Sequence, residues 1–323
     1  MDAVETATEK RAAIAARRQR RGFLARAWDS DLAYSFRRAK LAMLAALVAL
    51  ALVAAALLAP WIAPHDPFDL SSVSLLDSLN PPAWESGGNP GFPLGTDNQG
   101  RDVLSAILYG MRISLFVGVA SVALAAVLGV GLGLVAGYFG GFVDGAVMRV
   151  AEVQLTFPAI LIALLVDGVL HASLPGLSRE ESAYWVLIVA IGLAFWVQYA
   201  RTVRGSTLVE RNKDYVQAAR LIGLSPLTIM ARHVLPNVLG PVLVIATINL
   251  ALAVITEATL SFLGVGIPPT RPSLGTLIRI GNDFLFSGEW WIVFFPGVTL
   301  AALALSVNLL GDWLRDALNP RLR

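Results

Sequence analysis

Six long apolar segments constrain the fold of this chain more than any other feature. Each approaches or exceeds the roughly 20 residues that a helix needs to cross about 30 Å of hydrocarbon. The sequence therefore predicts an all-α integral membrane protein with six transmembrane helices. We place them at residues 41–60, 113–137, 146–169, 184–203, 238–262 and 290–311.

Composition supports a membrane protein and excludes several kinds of site. Hydrophobic residues make up 56% of the chain and charged residues 15%, against roughly 25% charged residues in a soluble domain. Since the chain has no cysteine and its three histidines are scattered, no disulfide and no metal site are predicted. None of the three lysines follows a glycine, so a Gly-Lys-Ser/Thr phosphate loop is absent. If ATP drives this protein, another chain binds it.

The distribution of positive charge predicts the orientation of the helices. Of the 25 Lys and Arg residues, 20 fall in the N-terminal arm, the C-terminus and the connections on their side, and 5 fall on the opposite side. By the positive-inside rule, both termini and the loop at 204–236 face the cytoplasm. The first apolar run begins after 40 mostly polar residues, too late for a secretory signal peptide, so we expect it to be retained.

These assignments divide the chain into five parts. The first, residues 1–40, is a basic cytoplasmic arm whose aromatic residues predict an interfacial helix along the lipid bilayer. Nucleic acid is disfavoured as a partner of its arginines, because topology itself requires positive charge beside the membrane. The other parts are the first transmembrane helix (41–60), an external loop (61–112), a five-helix core that includes the cytoplasmic loop at 204–236 (113–311), and a cytoplasmic tail (312–323).

The loop between the fourth and fifth spans contains a polar, basic helix–turn–helix at 214–236, which we call the helical corner. Residues 215–221 have helical periodicity, and Gly223 suits the left-handed position that ends a helix. Ser225 is a good N-cap, followed by Pro226 at the first position of a second helix. The corner is thus predicted to be a compact projection of two short helices.

The residues of the corner also resemble a known motif. Gln217-Ala218-Ala219, then Gly223, then Leu235-Pro236 is similar to the EAA motif of ABC importer permeases. The small alanines are expected to let another protein approach the first helix, and Pro236 to limit the second helix. Two positions depart from the motif: Gln217 stands where the motif has Glu, and His233 where it often has an apolar residue.

The resemblance implies that the corner carries the coupling helix, which seats in a groove of a cytoplasmic ATPase. The residues assigned to ATPase coupling are Asp214, Tyr215, Gln217, Ala218, Ala219, Arg220, Gly223, Ser225, Pro226 and Pro236.

A second motif ends the external loop. The run Leu94-Gly95-Thr96-Asp97, followed by Gly100-Arg101-Asp102, resembles the signature after the first span in permeases of the dipeptide, oligopeptide and nickel importer family. The two aspartates can accept hydrogen bonds from turn amides and from the arginine, so we favour a role in loop structure over direct substrate contact. The residues assigned to this loop structure are Gly95, Thr96, Asp97, Gly100, Arg101 and Asp102.

Two further stretches are similar to the same family. Prolines and glycines at 261–275 forbid a regular helix, and backbone of this kind at membrane depth must be buried in protein or line a cavity. In the family this region lies at the external mouth of the translocation path. The ending at 311–321 also matches the family, so the resemblance runs from about residue 36 to the end.

Polar residues inside the spans are candidates for the translocation pathway or gate, because burying them in lipid is costly. Asn249, Ala253 and Glu257 lie on one face of the fifth span. Gln154 and Asp167 lie towards the two ends of the third span. For all of them a structural pairing remains the alternative. Repeated glycines in the second span, at 129, 133 and 137, predict close helix packing instead.

Together the resemblances imply a type I ABC importer permease fold in a bacterial cytoplasmic membrane. This chain would be a non-catalytic subunit that works with a homologous second permease, two ATPases that bind ATP and Mg, and an external solute-binding protein. Its cargo would be di- or oligopeptides or a nickel chelate. The alternative is a secondary transporter driven by an ion gradient, but the sequence lacks the internal repeats and midplane carboxylates expected of one. A membrane hydrolase is disfavoured because no HExxH or GxSxG motif is present.

Overall fold

A computed structural model describes residues 31–69, 74–173, 176 and 178–318. In these residues the regular elements are helices, with one isolated β-bridge between Thr96 and Asp102. The α-helices are α1 (Asp31–Arg38), α2 (Lys40–Leu57), α3 (Ala59–Ile62), α4 (Val103–Phe139), α5 (Gly141–Leu155), α6 (Ala159–Ser173), α7 (Arg179–Glu210), α8 (Asp214–Leu221), α9 (Pro226–Ile229), α10 (Leu235–Phe262), α11 (Leu274–Phe284) and α12 (Trp291–Leu318).

The predicted all-α membrane fold is confirmed. Five helical segments of the described chain are long and apolar enough to cross a bilayer. They are Lys40–Leu57, Val103–Phe139, Ser182–Glu210, Pro226–Phe262 and Trp291–Leu318. A sixth membrane segment is formed if the bent pair α5 and α6 is counted as one span.

The third span differs from the single kinked helix that the sequence predicts at 146–169. Its two halves, α5 and α6, meet at 100°, with the break between Leu155 and Ala159. Pro158 lies in this break. Proline has no N–H to donate and disfavours helical backbone in the residue before it. The chain therefore turns sharply here instead of continuing with a kink.

The fifth span begins much earlier than predicted. The helical path is continuous from Pro226 to Phe262, and Pro236 does not limit the second helix of the corner. A π-helical turn at Met230–Val234 comes just before Pro236, and the Leu235 N–H donates to the Met230 carbonyl five residues back. This shifted pairing accommodates a residue that cannot donate a hydrogen bond.

Two other boundaries lie away from the predicted ones. The external loop gives way to helix at Val103 rather than after 112, because the Asp102 side chain caps α4 there. The last helix continues to Leu318, so most of the expected tail at 312–323 is helical, and residues 319–323 lie outside the described part. Helix α11 was not predicted. Of the N-terminal arm only residues 31–40 are described, so the proposed interfacial helix lies largely outside the described residues.

Helices α4 and α7 pack with their backbones almost in contact. A Cβ atom added at Gly129 would lie 2.3 Å from the Trp196 carbonyl oxygen, and one at Gly133 would lie 2.6 Å from the Ala200 carbonyl oxygen. At Gly137 the added atom would lie 2.7 Å from the Thr207 side chain. These distances confirm the close packing that the glycine repeat predicts.

We expect Gly129→Ala to destabilise the protein, because the added methyl group would push α7 away from α4. Overpacking of this kind typically costs about 1–3 kcal/mol. Gly131→Ala is the matched control on the same helix, since no atom lies within 4 Å of its added Cβ. Thermal unfolding of the two purified variants in one detergent would measure the difference. Equal melting temperatures would contradict the packing described here.

Candidate functional site

The helical corner is built from local signals in its sequence. Helix α8 ends before Gly223, whose φ of 80° is the left-handed conformation that ends many helices. The Ser225 hydroxyl accepts a hydrogen bond from the Thr228 N–H at 3.3 Å and so caps α9, in which Pro226 is the first residue. The corner is therefore fixed by its own turn and cap residues.

Three large apolar side chains project from the corner, and we call them the apolar tip. Leu221 is 88% exposed, Ile222 75% and Leu227 74%. These three residues are not among those predicted from the sequence, which in this part of the corner favours its small residues. The available signal was the pair of apolar residues immediately before the helix-ending glycine in an otherwise polar loop.

The two alanines of the motif have different environments. Ala219 is only 4% exposed and belongs to a buried cluster with Val216, Ile229 and Val234, whereas Ala218 is exposed. Residues three apart share one face of a helix, so Val216 and Ala219 together turn that face of α8 into the protein. Contrary to expectation, Ala219 does not offer a surface to a partner.

The other coupling candidates lie on the outside of the corner. Asp214, Tyr215, Gln217 and Arg220 all have exposed side chains, as do Ser225, Pro226 and Pro236. The Gln217 Nε2 atom donates to the Arg211 carbonyl at 3.2 Å. A glutamate in its place could not donate this bond, because a carboxylate only accepts.

Tyr215 links the helices that precede and follow the corner, α7 and α10. The Tyr215 hydroxyl donates to the Glu210 carboxylate at the end of α7, and Asn237 on α10 donates to the Tyr215 oxygen at 3.1 Å. The same Asn237 amide donates to the His233 carbonyl at 2.7 Å. Partial desolvation and the hydrogen bond to Glu210 raise the pKa of Tyr215 to about 12. The hydroxyl therefore keeps its proton, and its donor role, at physiological pH.

Two arginines, Arg211 just before the corner and Arg220 within it, contact the C-terminal end of α4. Arg211 donates to the carbonyl oxygens of Gly137 at 2.9 Å and Tyr138 at 3.2 Å. A cation at this end of a helix is favoured by the helix dipole. The Arg220 guanidinium lies 4.9 Å from the centre of the Tyr138 ring, within the range of a cation–π contact. The corner thus contacts α4 as well as the helices on either side of it.

At the opposite end of α4, residues 94–102 form a tight structure that we call the outer turn. The Asp97 carboxylate accepts hydrogen bonds from the backbone N–H groups of Gln99 at 2.8 Å and Arg101 at 3.0 Å, and from Arg101 Nε at 2.7 Å. Arg101 Nη1 donates to the Pro269 carbonyl at 2.8 Å. One arginine therefore joins the outer turn to the Pro- and Gly-rich segment after α10.

The remaining residues of the outer turn are also structural in their contacts. Asp102 accepts a hydrogen bond from the Ser105 N–H at 2.9 Å, and the Thr96 carbonyl accepts one from Trp291 Nε1 at 3.0 Å. Gly95 and Gly100 have φ of 80° and 81°. A Cβ at Gly100 would lie 2.1 Å from the Ser74 carbonyl oxygen, so this position has no room for a side chain.

The predicted polar stripe of the fifth span lies in the interior of the chain. Asn249, Ala253 and Glu257 have no exposed surface. The Glu257 carboxylate accepts hydrogen bonds from Ser114 at 2.6 Å and Ser261 at 2.7 Å. This is the geometry of a structural pairing, and a pathway role for the stripe stays a prediction.

The two candidates in the third span lie on either side of its break, Gln154 in α5 and Asp167 in α6. Gln154 is half-buried beside the break and lines a cavity between α6 and α7. The Asp167 carboxylate lies 3.2 Å from His171 Nδ1, one turn further along α6. No group of three His, Cys, Asp or Glu side chains in the described part of the chain is arranged to hold a metal ion.

Known proteins with similar sequences are membrane transport components. Residues 129–323 match the family described as binding-protein-dependent transport system inner membrane component, and residues 23–82 match the N-terminal transmembrane domain of oligopeptide transport permease C. The chain is 38% identical to the di/tripeptide transport system permease protein DppC of Pseudomonas aeruginosa, over 90% of this chain and 91% of that protein.

Other relatives and one solved structure extend this likeness. The chain is 40% identical to the dipeptide transport system permease protein DppC of Escherichia coli K12, over 89% of this chain and 91% of that protein. It is 43% identical to a putative peptide transport system permease protein of Brucella suis, over 85% of this chain and 86% of that protein. A chain of the inward-facing MetNI methionine ABC transporter superposes with a TM-score of 0.52 at 20% identity, covering 66% of this chain and 96% of that one. At that identity the likeness is one of fold.

We expect Asp97→Asn to loosen the outer turn, because it leaves the Arg101 charge, which is 3% exposed, without its partner. Breaking one side of a buried ion pair typically costs about 3–5 kcal/mol. Asp283→Asn, at an exposed aspartate in α11, is the control. The measurement is thermal unfolding together with protease digestion of the external loop. If both variants resist heat and protease equally, the ion pair does not hold the turn.

Proposed function

This chain belongs to the family of binding-protein-dependent transport system inner membrane components, and we propose that it is one of two transmembrane subunits of an ABC importer for di- or oligopeptides. The family implies an ATPase and a solute-binding protein as partners. We assign this chain one homologous permease partner, two ATPases and one external binding protein. ATP and Mg would be bound by the ATPases, and this chain would hold no cofactor.

The apolar tip carries this proposal. An exposed group of Leu221, Ile222 and Leu227 in an otherwise polar helical corner marks a surface that another protein covers. The tip lies on the side that the positive-inside rule assigns to the cytoplasm, where ATP is available. Seating the tip in a groove of an ATPase would bury these side chains, and each such burial stabilises a complex by about 1.5–3 kcal/mol.

The continuity of the fifth span supports a mechanism for coupling. Pro226–Phe262 contains 37 residues and would extend about 55 Å at 1.5 Å per residue. One end carries Leu227 of the apolar tip. The other end leads into the segment at 263–273, where Pro269 is bonded to Arg101 of the outer turn. Movement of an ATPase bound to the tip would thus reach the outer mouth through one helical element.

The cargo is assigned from the relatives. Proteins that share 38–43% of their residues with nearly the whole of this chain are named as dipeptide, di/tripeptide or peptide permeases. We therefore propose short peptides as the transported solute. The family also disfavours the alternative of a self-sufficient transporter driven by an ion gradient.

We expect Leu221→Asp to weaken association with the ATPase by about ten- to a hundredfold, because an apolar contact is lost and a charge would be buried instead. Leu76→Asp is the matched control, since Leu76 is 96% exposed but lies in the external loop. The measurements are recovery of the ATPase with the affinity-purified chain and ATP-dependent peptide uptake in vesicles. Normal recovery and uptake in Leu221→Asp would sink the assignment of the tip.

A further inference from the structure

A cavity of about 230 Å³ lies at the outer end of the helices, beside the outer turn. Three separate parts of the chain form its walls: the external loop, the beginning of α7 and the segment after α10. The side chains that matter for its chemistry are Phe68, Gln99, Arg101, Glu180 and Arg271. It is far from the helical corner, because α4 and α7 run between the two.

Arg101 forms part of the wall of this cavity and is held by the protein itself. Its Nε and Nη1 atoms are bonded to Asp97 and to the Pro269 carbonyl. The side chain is 3% exposed, and Nη2, which has no hydrogen-bond partner among the described residues, is buried as well. Arg101 therefore shapes the wall, and the charges that can reach a ligand belong to other residues.

Two further charges of opposite sign line the same cavity. Neither Arg271 nor Glu180 forms an ion pair within the described part of the chain, and both side chains are exposed. Both lie close enough to Tyr184 to act on it electrostatically. Because Asp97 already balances Arg101, the cavity is left with one free positive and one free negative group.

We propose that this cavity binds a short zwitterionic peptide, with its carboxylate at Arg271, its ammonium group at Glu180, and Phe68 along its apolar part. The inference rests on the proposed function for the claim that this ligand is cargo waiting at the outer mouth. A cavity of about 230 Å³ has room for a dipeptide.

The charge pattern favours a zwitterion over an acidic side chain of the binding protein. A lone carboxylate would pair with Arg271 but would leave Glu180 unpaired and facing a like charge. A ligand with one carboxylate and one ammonium group satisfies both free charges at once. The identity of the ligand therefore follows from the presence of Glu180 beside Arg271.

The test uses the complete transporter in nanodiscs, without binding protein and without nucleotide. Binding of dialanine is followed by ligand-observed NMR, with N-acetyl-dialanine amide, which has neither terminal charge, as the comparison ligand. The variants are Arg271→Gln and Glu180→Gln, both at exposed positions. Arg101 is left unchanged because it holds the outer turn. Arg112→Gln, at an exposed arginine of α4 that does not line the cavity, is the matched control.

Dialanine is expected to bind to the parent transporter and to Arg112→Gln, and the blocked peptide is not. Loss of one charge-assisted contact in Arg271→Gln should weaken dialanine binding by about tenfold. Glu180→Gln should weaken dialanine but leave N-acetyl-dialanine, which has only the carboxylate, unaffected.

Equal binding of dialanine by Arg271→Gln and Arg112→Gln would overturn the inference. So would weaker docking of the binding protein to Arg271→Gln with unchanged dialanine binding, because the carboxylate would then belong to that protein. ATP-driven dialanine uptake with the binding protein present is measured separately. Uptake without binding in the cavity overturns this inference alone, whereas absence of uptake of any peptide overturns the proposed function.

Discussion

The backbone contact between α4 and α7 holds the two ends of this protein in a fixed relation. Gly129 and Gly133 leave no space for a side chain between the helices, so neither helix can shift without moving the other. The N-terminal end of α4 begins at the Asp102 cap, and its C-terminal end presents carbonyl oxygens to Arg211. The outer turn and the helical corner are therefore attached to opposite ends of one packed helix pair.

A second helical element, Pro226–Phe262, also connects the helical corner with the region of the outer turn. It begins in the helical corner and finishes beside the segment that Arg101 bonds to the outer turn. Inside the chain the Glu257 carboxylate is bonded to Ser114 of α4, so the two routes are also connected along their length. A helix pair and a continuous helix with these contacts form a unit suited to transmitting displacement from an ATPase to the outer mouth.

Features that depend on local chemistry could be predicted from the sequence, and features that depend on tertiary contacts could not. Apolar length predicts the spans, and Gly223 and Ser225 predict the turn and cap of the corner, because each acts on neighbouring residues in the chain. The effect of a proline on its helix could not be predicted from the sequence. Pro158 lies in a 100° break, whereas the helix continues through Pro236 after a π turn. The difference depends on which backbone groups find new hydrogen-bond partners. The burial of Ala219 and the unused donor of Arg101 arise only from packing against distant residues.

The central claim is that the apolar tip seats in an ATPase. Site-specific photocrosslinking tests it most directly, with the photoreactive residue at Ile222, which is 75% exposed. In native membranes we expect the crosslinked partner to be an ATPase with a phosphate loop, identified by mass spectrometry, and the yield to change when ATP is bound. Crosslinks from Ile222 to lipid alone, with and without ATP, would contradict the account.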